Sequence, residues 1–174
     1  MNASVHTQRL LLVPLTLSQL QLYLTDLPAL EAELGLSISR EVITERVQRA
    51  IQMKIEKMTE LDEARHPWQT YWLIVISTEN FGAGLAGFKG VPNESGSTEI
   101  GYGIAPSHQN QGYMSEAVKT LVDWAFQHTF CKAVTATEVK NPASRRLLEK
   151  LDAQLVEENR ESSTWRIDRP SPHA

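Results

Sequence analysis

The sequence predicts an α/β fold, and three observations support that prediction. Apolar segments typical of strands run from residue 71 to residue 104, and glycine-containing turns separate them. An amphipathic helix follows at residues 114–126, where apolar residues recur three and four positions apart. A segment rich in Val and Thr comes next, at residues 133–139, so strand, helix and strand form a right-handed crossover between parallel strands.

The N-terminal part of the chain is predicted to be mostly helical. A short strand at residues 9–13 precedes a helical turn at residues 17–24, after which a proline and a glycine break the pattern. A long amphipathic helix follows, with Ser39 as its expected N-cap. Its periodicity alone is typical of a packed surface helix.

The middle of the chain reads as an antiparallel meander. TYWLIVIS and AGLAGFKG are its first strands, VPNESGST is a turn, and EIGYGI at residues 99–104 is the next strand. Near the C-terminus, Asn141 and Pro142 suit the N-cap and first position of a last helix. A hairpin is expected at residues 154–168, followed by a disordered tail at residues 169–174.

Composition limits the classes of function. The chain has 174 residues, a formal net charge of −4 and no basic cluster, which argues against nucleic-acid binding and favours a neutral or cationic acceptor. Cys131 is the only cysteine, so an intrachain disulfide is excluded. No secretory signal and no apolar run of about 18 residues is visible, so we expect a cytoplasmic protein without a membrane span. The five His residues lack metal-ligand spacing, and no metal is expected.

The loop QNQGYM, residues 109–114, is the strongest functional signal. It joins the glycine-bearing strand to the amphipathic helix, whose first N–H groups lack intrahelical partners and therefore attract a phosphate. Gly112 allows a close approach of the backbone, and Gly101 and Gly103 would let an extended ligand lie along the strand. An ordinary strand-to-helix turn is the alternative, since single-glycine turns before helices are common.

These residues resemble a known family. EIGYGIAPSHQNQGYMSEA resembles motif A of the GNAT acetyltransferases, in which Gln109 and Gly112 match and Met114 departs from the usual small residue. The segments TQRLLL, YWLIVI, GFKG and NPASRRLLEKL fall in the order used by the branch of ribosomal-protein N-terminal acetyltransferases. The resemblance covers most of the chain. Val13 and Asp152 depart from it, standing where the branch usually has Arg and Gly.

The resemblance implies a fold and a cofactor. The fold would be a single GNAT domain over residues 1–168, with a central sheet of about six to seven strands, about four flanking helices and a splayed parallel strand pair that forms the cofactor cleft. Acetyl-CoA would be the co-substrate. Its pantetheine would follow the strand backbone, and its pyrophosphate would bind the loop amides. The expected cofactor-binding residues are Tyr102, Ile104, Gln109, Asn110, Gln111, Gly112, Tyr113, Met114 and Asn141.

Two residues are candidates for catalysis. The acceptor amine must be neutral to attack the thioester, and Glu99 at the edge of the predicted cleft is positioned to take its proton. By resemblance, Ser144 would lie beside the cofactor sulfur and would hydrogen-bond or protonate the departing thiolate. The residues alone also allow a solvated Glu99, a Ser144 that serves local backbone groups, and an Asn141 that only caps its helix.

The expected activity is direct acetyl transfer to a primary amine in a ternary complex. By family analogy the acceptor is a protein N-terminus, and a small amine or an antibiotic is the alternative. A non-catalytic acyl-CoA sensor and a phosphate-binding protein of unrelated fold also remain open. Prior acetylation of Cys131 is disfavoured, because a lone cysteine is more often a small buried hydrophobe. The assembly is expected to be a monomer or a homodimer.

Overall fold

A computed structural model describes residues 4–171, and this range contains nine strands and six helices. The strands are β1 (Val5–His6), β2 (Leu10–Pro14), β3 (Ser37–Ile38), β4 (Trp72–Ile76), β5 (Phe81–Phe88), β6 (Ser97–Ile104), β7 (Ala133–Glu138), β8 (Gln154–Glu158) and β9 (Ser163–Asp168). The helices are α1 (Leu17–Thr25), α2 (Leu27–Leu34), α3 (Glu45–Thr59), α4 (His66–Gln69), α5 (Tyr113–Phe126) and α6 (Pro142–Lys150).

The predicted α/β class is confirmed, although strands and helices are more numerous than expected. The additional elements are short: β1 and β3 have two residues each, and α4 is a single turn. Segments of this length are too short to show a periodicity. The predicted break at Pro28 is instead the start of α2, because proline fits the first turn of a helix and Asp26 caps it.

The strands form one sheet in the order β1-β2-β4-β5-β6-β7-β9-β8, and β3 pairs with β5 beside this path. Neighbouring strands are antiparallel except for β3 with β5 and β6 with β7. The sheet is therefore mixed and mostly antiparallel, as the sequence predicts.

The parallel pair β6–β7 is splayed. Its register holds only from Ser97 opposite Ala133 to Glu99 opposite Thr135. Beyond this point β6 continues to Ile104 and β7 to Glu138 with no pairing between them. The open edge of β6 thus has free backbone groups facing a cleft, which confirms the expected position of the cleft.

Helices pack on both faces of the sheet, and this explains the unbroken apolar run in β4. Trp72 and Ile74 belong to the buried cluster under α5 and α6, whereas Leu73 and Val75 belong to the cluster under α1, α2 and α3. All five β4 residues are buried. A strand covered on both faces has no polar side, so its sequence does not alternate.

The prediction for the start of the long helix was wrong. The N-cap of α3 is Thr44, whose side chain accepts a hydrogen bond from the Val47 N–H, and not Ser39. Ser39 instead donates its N–H to the Gly82 carbonyl at 2.8 Å, which continues the β3–β5 pairing. Because Ser39 pairs with Gly82 of β5, the helix begins several residues later than predicted, at Glu45.

The C-terminal predictions are confirmed at the last helix and the hairpin. The Asn141 side chain caps α6 by accepting from the N–H groups of Ala143 and Ser144, and β8 pairs antiparallel with β9. Asp152 has φ +55°, the left-handed conformation that a glycine adopts most easily. Arg169, the first residue of the expected disordered tail, donates a hydrogen bond from Nε to the Cys131 carbonyl at 2.9 Å. Residues 172–174 of that tail lie outside the described residues.

Candidate active site

A cleft of about 730 Å³ opens where β6 and β7 separate. The end of β6, the loop after it and the start of α5 form one wall. The end of β7 and the start of α6 form another, and residues of α3 close the far side. The cleft therefore joins the loop predicted to hold a phosphate to the side of the sheet where Glu99 lies.

The two glycines of β6 leave its cleft face open. A Cβ atom placed on Gly101 or Gly103 would meet no heavy atom within 4 Å. Glu99 belongs to the same set of alternate residues on the strand. An extended ligand can therefore lie against this strand and end beside the Glu99 carboxylate.

Gly112 caps α5 and shapes the loop. Its φ is +81°, and no side chain caps the helix start. Within residues 4–171, the main-chain N–H groups from Asn110 to Ser115 have no hydrogen-bond acceptor. Several free donors at the positive end of a helix form a favourable site for an anion such as a pyrophosphate. The helix starts at Tyr113, as the loop pattern predicts.

Arg9 holds this loop in place, and the sequence analysis did not single it out. Its Nη1 donates to the Gln111 carbonyl at 2.9 Å, its Nε to Glu116 Oε2 at 2.7 Å, and its guanidinium lies 4.6 Å from the Tyr113 ring centroid. Burial favours a raised pKa for Glu116, but hydrogen bonds from Thr7 and Arg9 outweigh it and hold the pKa below its usual value. The only signal in the sequence was the position of Arg9 within TQRLLL.

Tyr102 and Ser144 meet in the cleft. The Tyr102 hydroxyl and Ser144 Oγ are 2.7 Å apart and partly buried. Burial raises the pKa of Tyr102, while the Ser144 hydrogen bond opposes that rise and the nearby Glu138 carboxylate adds to it. Tyr102 was predicted to contribute only its backbone, so its pairing with the candidate acid is a finding of the tertiary structure.

Glu138 is a second residue that sequence reasoning missed. Its side chain is buried at the end of β7, and its Oε2 accepts the Asn141 N–H at 2.7 Å. The bond fixes the turn before α6, where Lys140 has φ +45°. Asn141 and Ser144 are thereby held against the cleft.

Glu99 is paired with Lys89. Lys89 Nζ lies 2.6 Å from Glu99 Oε1, and both residues line the cleft. Among the described residues, Oε2 of Glu99 has no hydrogen-bond partner. One carboxylate oxygen is thus oriented by a cation, and the other is free to accept a proton.

The rest of the loop is fixed by polar contacts. Gln109 Nε2 lies 3.5 Å from the Ile104 carbonyl oxygen. His108 contacts Ser107 Oγ through Nδ1 and Glu79 Oε2 through Nε2, both at 2.9 Å. This Ser-His-Glu contact does not activate a nucleophile, because the Ser107 hydroxyl donates to a second carboxylate, that of Glu41. His108 instead anchors the turn that leads into the loop.

Cys131 lies outside the cleft. It is fully buried, and burial raises the pKa of its thiol, as expected for a structural cysteine. In the part of the chain that the structure describes, no three His, Cys, Asp or Glu side chains come together as metal ligands. None of the helices between residues 4 and 171 has the length and apolar character needed to cross a bilayer.

The sequence pattern of the acetyltransferase (GNAT) domain matches residues 9–154, most of the chain. This chain belongs to the GNAT acetyltransferase family. The resemblance inferred from motif A is therefore confirmed. The GNAT match includes β2 to β7, the loop at residues 109–112 and α6.

Two curated relatives are also similar to part of this chain. The uncharacterized N-acetyltransferase YjdG of Bacillus subtilis (strain 168) is 36% identical over 95 residues, which cover 54% of this chain and 56% of that protein. The uncharacterized N-acetyltransferase p20 of Bacillus licheniformis is 33% identical over 82 residues, covering 47% of this chain and 46% of that protein. The chain thus spans about half the length of the curated relatives it matches.

Solved structures share the fold over nearly the whole chain. RimL, a ribosomal L7/L12 alpha-N-protein acetyltransferase in complex with coenzyme A, has a TM-score of 0.66 at 17% identity, covering 95% of this chain and 98% of its own. A ribosomal-protein-S5-alanine acetyltransferase from Vibrio fischeri has a TM-score of 0.63 at 15% identity, covering 96% and 97%. At these identities the similarity establishes the GNAT fold.

Proposed function

We propose that this chain transfers the acetyl group of acetyl-CoA to a primary amine by direct attack in a ternary complex. One observation carries the proposal beyond family membership. A single cleft connects the partnerless N–H groups around Gly112 to the free carboxylate oxygen of Glu99, along a strand whose glycines leave room for a ligand.

The cofactor would bind largely through main-chain groups. Its pyrophosphate would accept hydrogen bonds from the N–H groups of residues 111–114, and its pantetheine would replace the missing strand partner along Tyr102 and Ile104. Arg146 and Lys150 of α6 line the same cleft and have no carboxylate within 4 Å among the described residues. Their charges suit the remaining phosphate of the cofactor.

The reaction requires two proton transfers. The amine nitrogen forms a bond to the thioester carbon, Glu99 Oε2 receives the amine proton, and the carbon–sulfur bond breaks. The Ser144 hydroxyl then gives its proton to the departing thiolate and is resupplied by the Tyr102 hydroxyl 2.7 Å away. The raised pKa of Tyr102 keeps that hydroxyl protonated until it is needed, and after transfer Tyr102 regains a proton from solvent while Glu99 releases one to it.

A protein N-terminus is the proposed acceptor. At pH 7 an α-amine costs roughly 1 kcal/mol to deprotonate, whereas a Lys side chain costs roughly 4 to 5 kcal/mol. Glu99, a single carboxylate that already accepts one hydrogen bond from Lys89, is better suited to deprotonating an α-amine than to deprotonating a Lys side chain. RimL, named as an alpha-N-protein acetyltransferase, is also among the structural neighbours. A small-molecule amine is the alternative, since the open cleft sets no lower limit on acceptor size.

The test combines binding and turnover. Calorimetry measures acetyl-CoA affinity, and thiol release with a panel of peptides and small amines measures transfer. We expect Glu99→Gln to keep the affinity and to lower turnover about a hundredfold, the usual range for loss of a general base. Glu94→Gln, which changes an exposed carboxylate outside the cleft, is the control. Binding without thiol release by the wild type would identify a sensor, and equal turnover in both variants would remove Glu99 from the mechanism.

A further inference from the structure

We propose that the acceptor amine carries a carboxylate, which Arg46 and the Tyr71 hydroxyl bind on the α3 side of the cleft. The inference rests on the proposed acetyl transfer and names its substrate class. It differs from the expectation drawn from net charge, because the charge around the cleft is opposite to that of the whole chain.

The charges that line the cleft are unbalanced. Four cationic side chains face two carboxylates there: the cations are Arg46, Lys89, Arg146 and Lys150, and the carboxylates are Glu99 and Glu138. Arg146 and Lys150 lie on α6, the cofactor side, where phosphates would balance them. Lys89 is paired with Glu99. Arg46 remains without an anion.

Arg46 lies in the first turn of α3, where its exposed side chain lines the cleft. Its side chain has no carboxylate within 4 Å and no hydrogen-bond acceptor in the described part of the chain. The adjacent acid in sequence, Glu45, pairs with Arg49 at 3.7 Å. Glu41 accepts a hydrogen bond from Ser107. A guanidinium without a partner at the wall of a cleft matches a carboxylate, to which it can bind through two parallel hydrogen bonds.

Tyr71 supplies a second donor at the same cleft. The ring lines the cleft, and its hydroxyl has no hydrogen-bond partner among residues 4–171. Among the described residues, Trp165 Nε1 is the one buried side-chain nitrogen or oxygen that lacks a hydrogen-bond partner. The Tyr71 hydroxyl also lacks a partner and is not in that group, so it is not enclosed. Tyr71 can therefore donate to a ligand: burial raises the pKa of its hydroxyl, and the Arg46 charge opposes that rise.

Lys54 contacts one face of the Tyr71 ring. Its side chain is only 7% exposed, and its Nζ lies 4.5 Å from the centre of the ring. Nζ donates to the carbonyls of Gln69 and Phe88 at 2.8 and 2.7 Å, and no carboxylate in the described residues pairs with it. In its protonated form, the buried amine next to the acceptor wall adds to the positive potential there. A bound carboxylate would supply the counter-charge that the fold omits.

The arrangement separates the two ends of the acceptor. Glu99 receives the amine proton at the cofactor junction, while Arg46 and Tyr71 lie on the α3 wall of the same cleft. A molecule with an amine at one end and a carboxylate at the other can place the amine at Glu99 and the carboxylate at Arg46 and Tyr71. Such a group occurs in a peptide with an acidic residue next to its free N-terminus and in a free amino acid.

The experiment compares acceptors with and without a carboxylate, and kcat/KM is expressed per neutral amine because the α-amine of alanine has a higher pKa than that of alaninamide. One pair is Ala-Asp-Ala-amide with Ala-Asn-Ala-amide, and the other is alanine with alaninamide. We expect kcat/KM to be at least tenfold higher for the acidic member of one pair, and the responding pair identifies a peptide or a free amino acid as the source of the carboxylate. Arg46→Gln should abolish that preference through KM, and Tyr71→Phe should reduce it about threefold.

Arg49→Gln is the matched control, because Arg49 lies on the same helix, is exposed and does not line the cleft. It should keep the preference. Equal use of the two members of each pair by the wild type would overturn the inference, as would an Arg46→Gln effect of the same size on acidic and neutral acceptors. Binding of acetyl-CoA with transfer only to amines that lack a carboxylate would overturn it and leave the proposed transferase activity intact. Absence of acetyl-CoA binding would instead contradict the proposed function.

Discussion

The two sides of the cleft are built from different parts of the chain. On the proposed cofactor side, the candidate binding groups are main-chain N–H groups within one short segment, shaped by Gly112 at φ +81°. On the acceptor side, they are side chains from separate elements: Arg46 on α3, Tyr71 before β4, Lys89 after β5 and Glu99 on β6. One side therefore depends on backbone conformation and the other on charge and packing.

This difference predicts opposite responses to mutation. The cofactor side should tolerate loss of a side chain and fail when the backbone is forced to change. The acceptor side should keep its backbone and fail when a charge or hydroxyl is removed. The four predictions below test this contrast in decreasing order of expected effect.

The largest effect concerns the buried amine of the acceptor side. Burial, with repulsion from Lys57 and Lys89, lowers the pKa of Lys54 to about 7. The unfolded chain therefore binds one more proton than the folded chain between pH 7 and 10, so this residue makes the protein more stable as the pH rises. Relative to Lys54→Met, the free energy of unfolding of the wild type should rise by about 1.4 kcal/mol per pH unit in this window, as measured by denaturant titration.

The slope, rather than the absolute stability, tests this prediction, because Lys54→Met also leaves the carbonyls of Gln69 and Phe88 without a donor. Lys119→Met, at an exposed lysine on α5, should leave the slope unchanged. Parallel curves for wild type and Lys54→Met would show that the amine keeps its ordinary titration in the folded state.

The second prediction concerns the backbone of the cofactor side. Gly112→Ala places a side chain at positive φ, where its Cβ would also lie 3.3 Å from Arg9 Nη2. We expect the Kd for acetyl-CoA to increase about five- to thirtyfold by calorimetry, because the loop must move its N–H groups to relieve the strain, which costs roughly 1 to 2 kcal/mol. Gln111→Ala, which removes only a side chain, should change the Kd less than about threefold.

Gly35→Ala separates strain from function. Gly35 also has positive φ, +68°, and a Cβ there would meet nothing within 4 Å. It should lower stability by about 1 kcal/mol and leave the Kd unchanged. If both glycine variants weaken acetyl-CoA binding equally, the loop at Gly112 has no special part in holding the cofactor.

The third prediction tests the junction between the two sides. Tyr102→Phe should lower kcat about tenfold with little change in the Kd for acetyl-CoA, because Ser144 loses the hydroxyl 2.7 Å away that resupplies its proton. In the double variant with Ser144→Ala, kcat should fall no further than in Ser144→Ala alone, since both changes interrupt one relay. Multiplicative losses would show that the two hydroxyls act separately. Tyr23→Phe, in the other core cluster, is the control.

The smallest effect concerns a turn outside the cleft. Asp152 adopts φ +55°, and Asp152→Gly should raise the free energy of unfolding by about 0.5 kcal/mol, because relief of left-handed strain exceeds the added entropy of the unfolded chain. Thermal unfolding measures the change, and acetyl-CoA affinity should not respond. A loss of stability would mean that contacts of the Asp152 side chain outweigh its backbone strain.

Much of the fold was predictable because it depends on local pattern. The amphipathic stripe of α5, the cap and proline of α6 and the hairpin at residues 154–168 each reflect residues close in sequence. The N-cap of α3 was not predictable from Ser39, because the pairing of Ser39 with Gly82 joins distant segments. The single-domain boundary at residue 168 and the roles of the site residues stay predictions.

The sequence by itself determined the GNAT fold, through the order of its motifs, and the loop with free main-chain donors, because a glycine, a strand and a helix start within one segment are sufficient to position them. Only the tertiary structure decided the rest of the site. The Tyr102–Ser144 contact, the Lys89–Glu99 ion pair and the unpaired Arg46 involve side chains that folding brings together from different elements. Side-chain partners of this kind leave no local pattern, since their spacing in the chain is set by the path of the sheet and not by the period of a helix or strand.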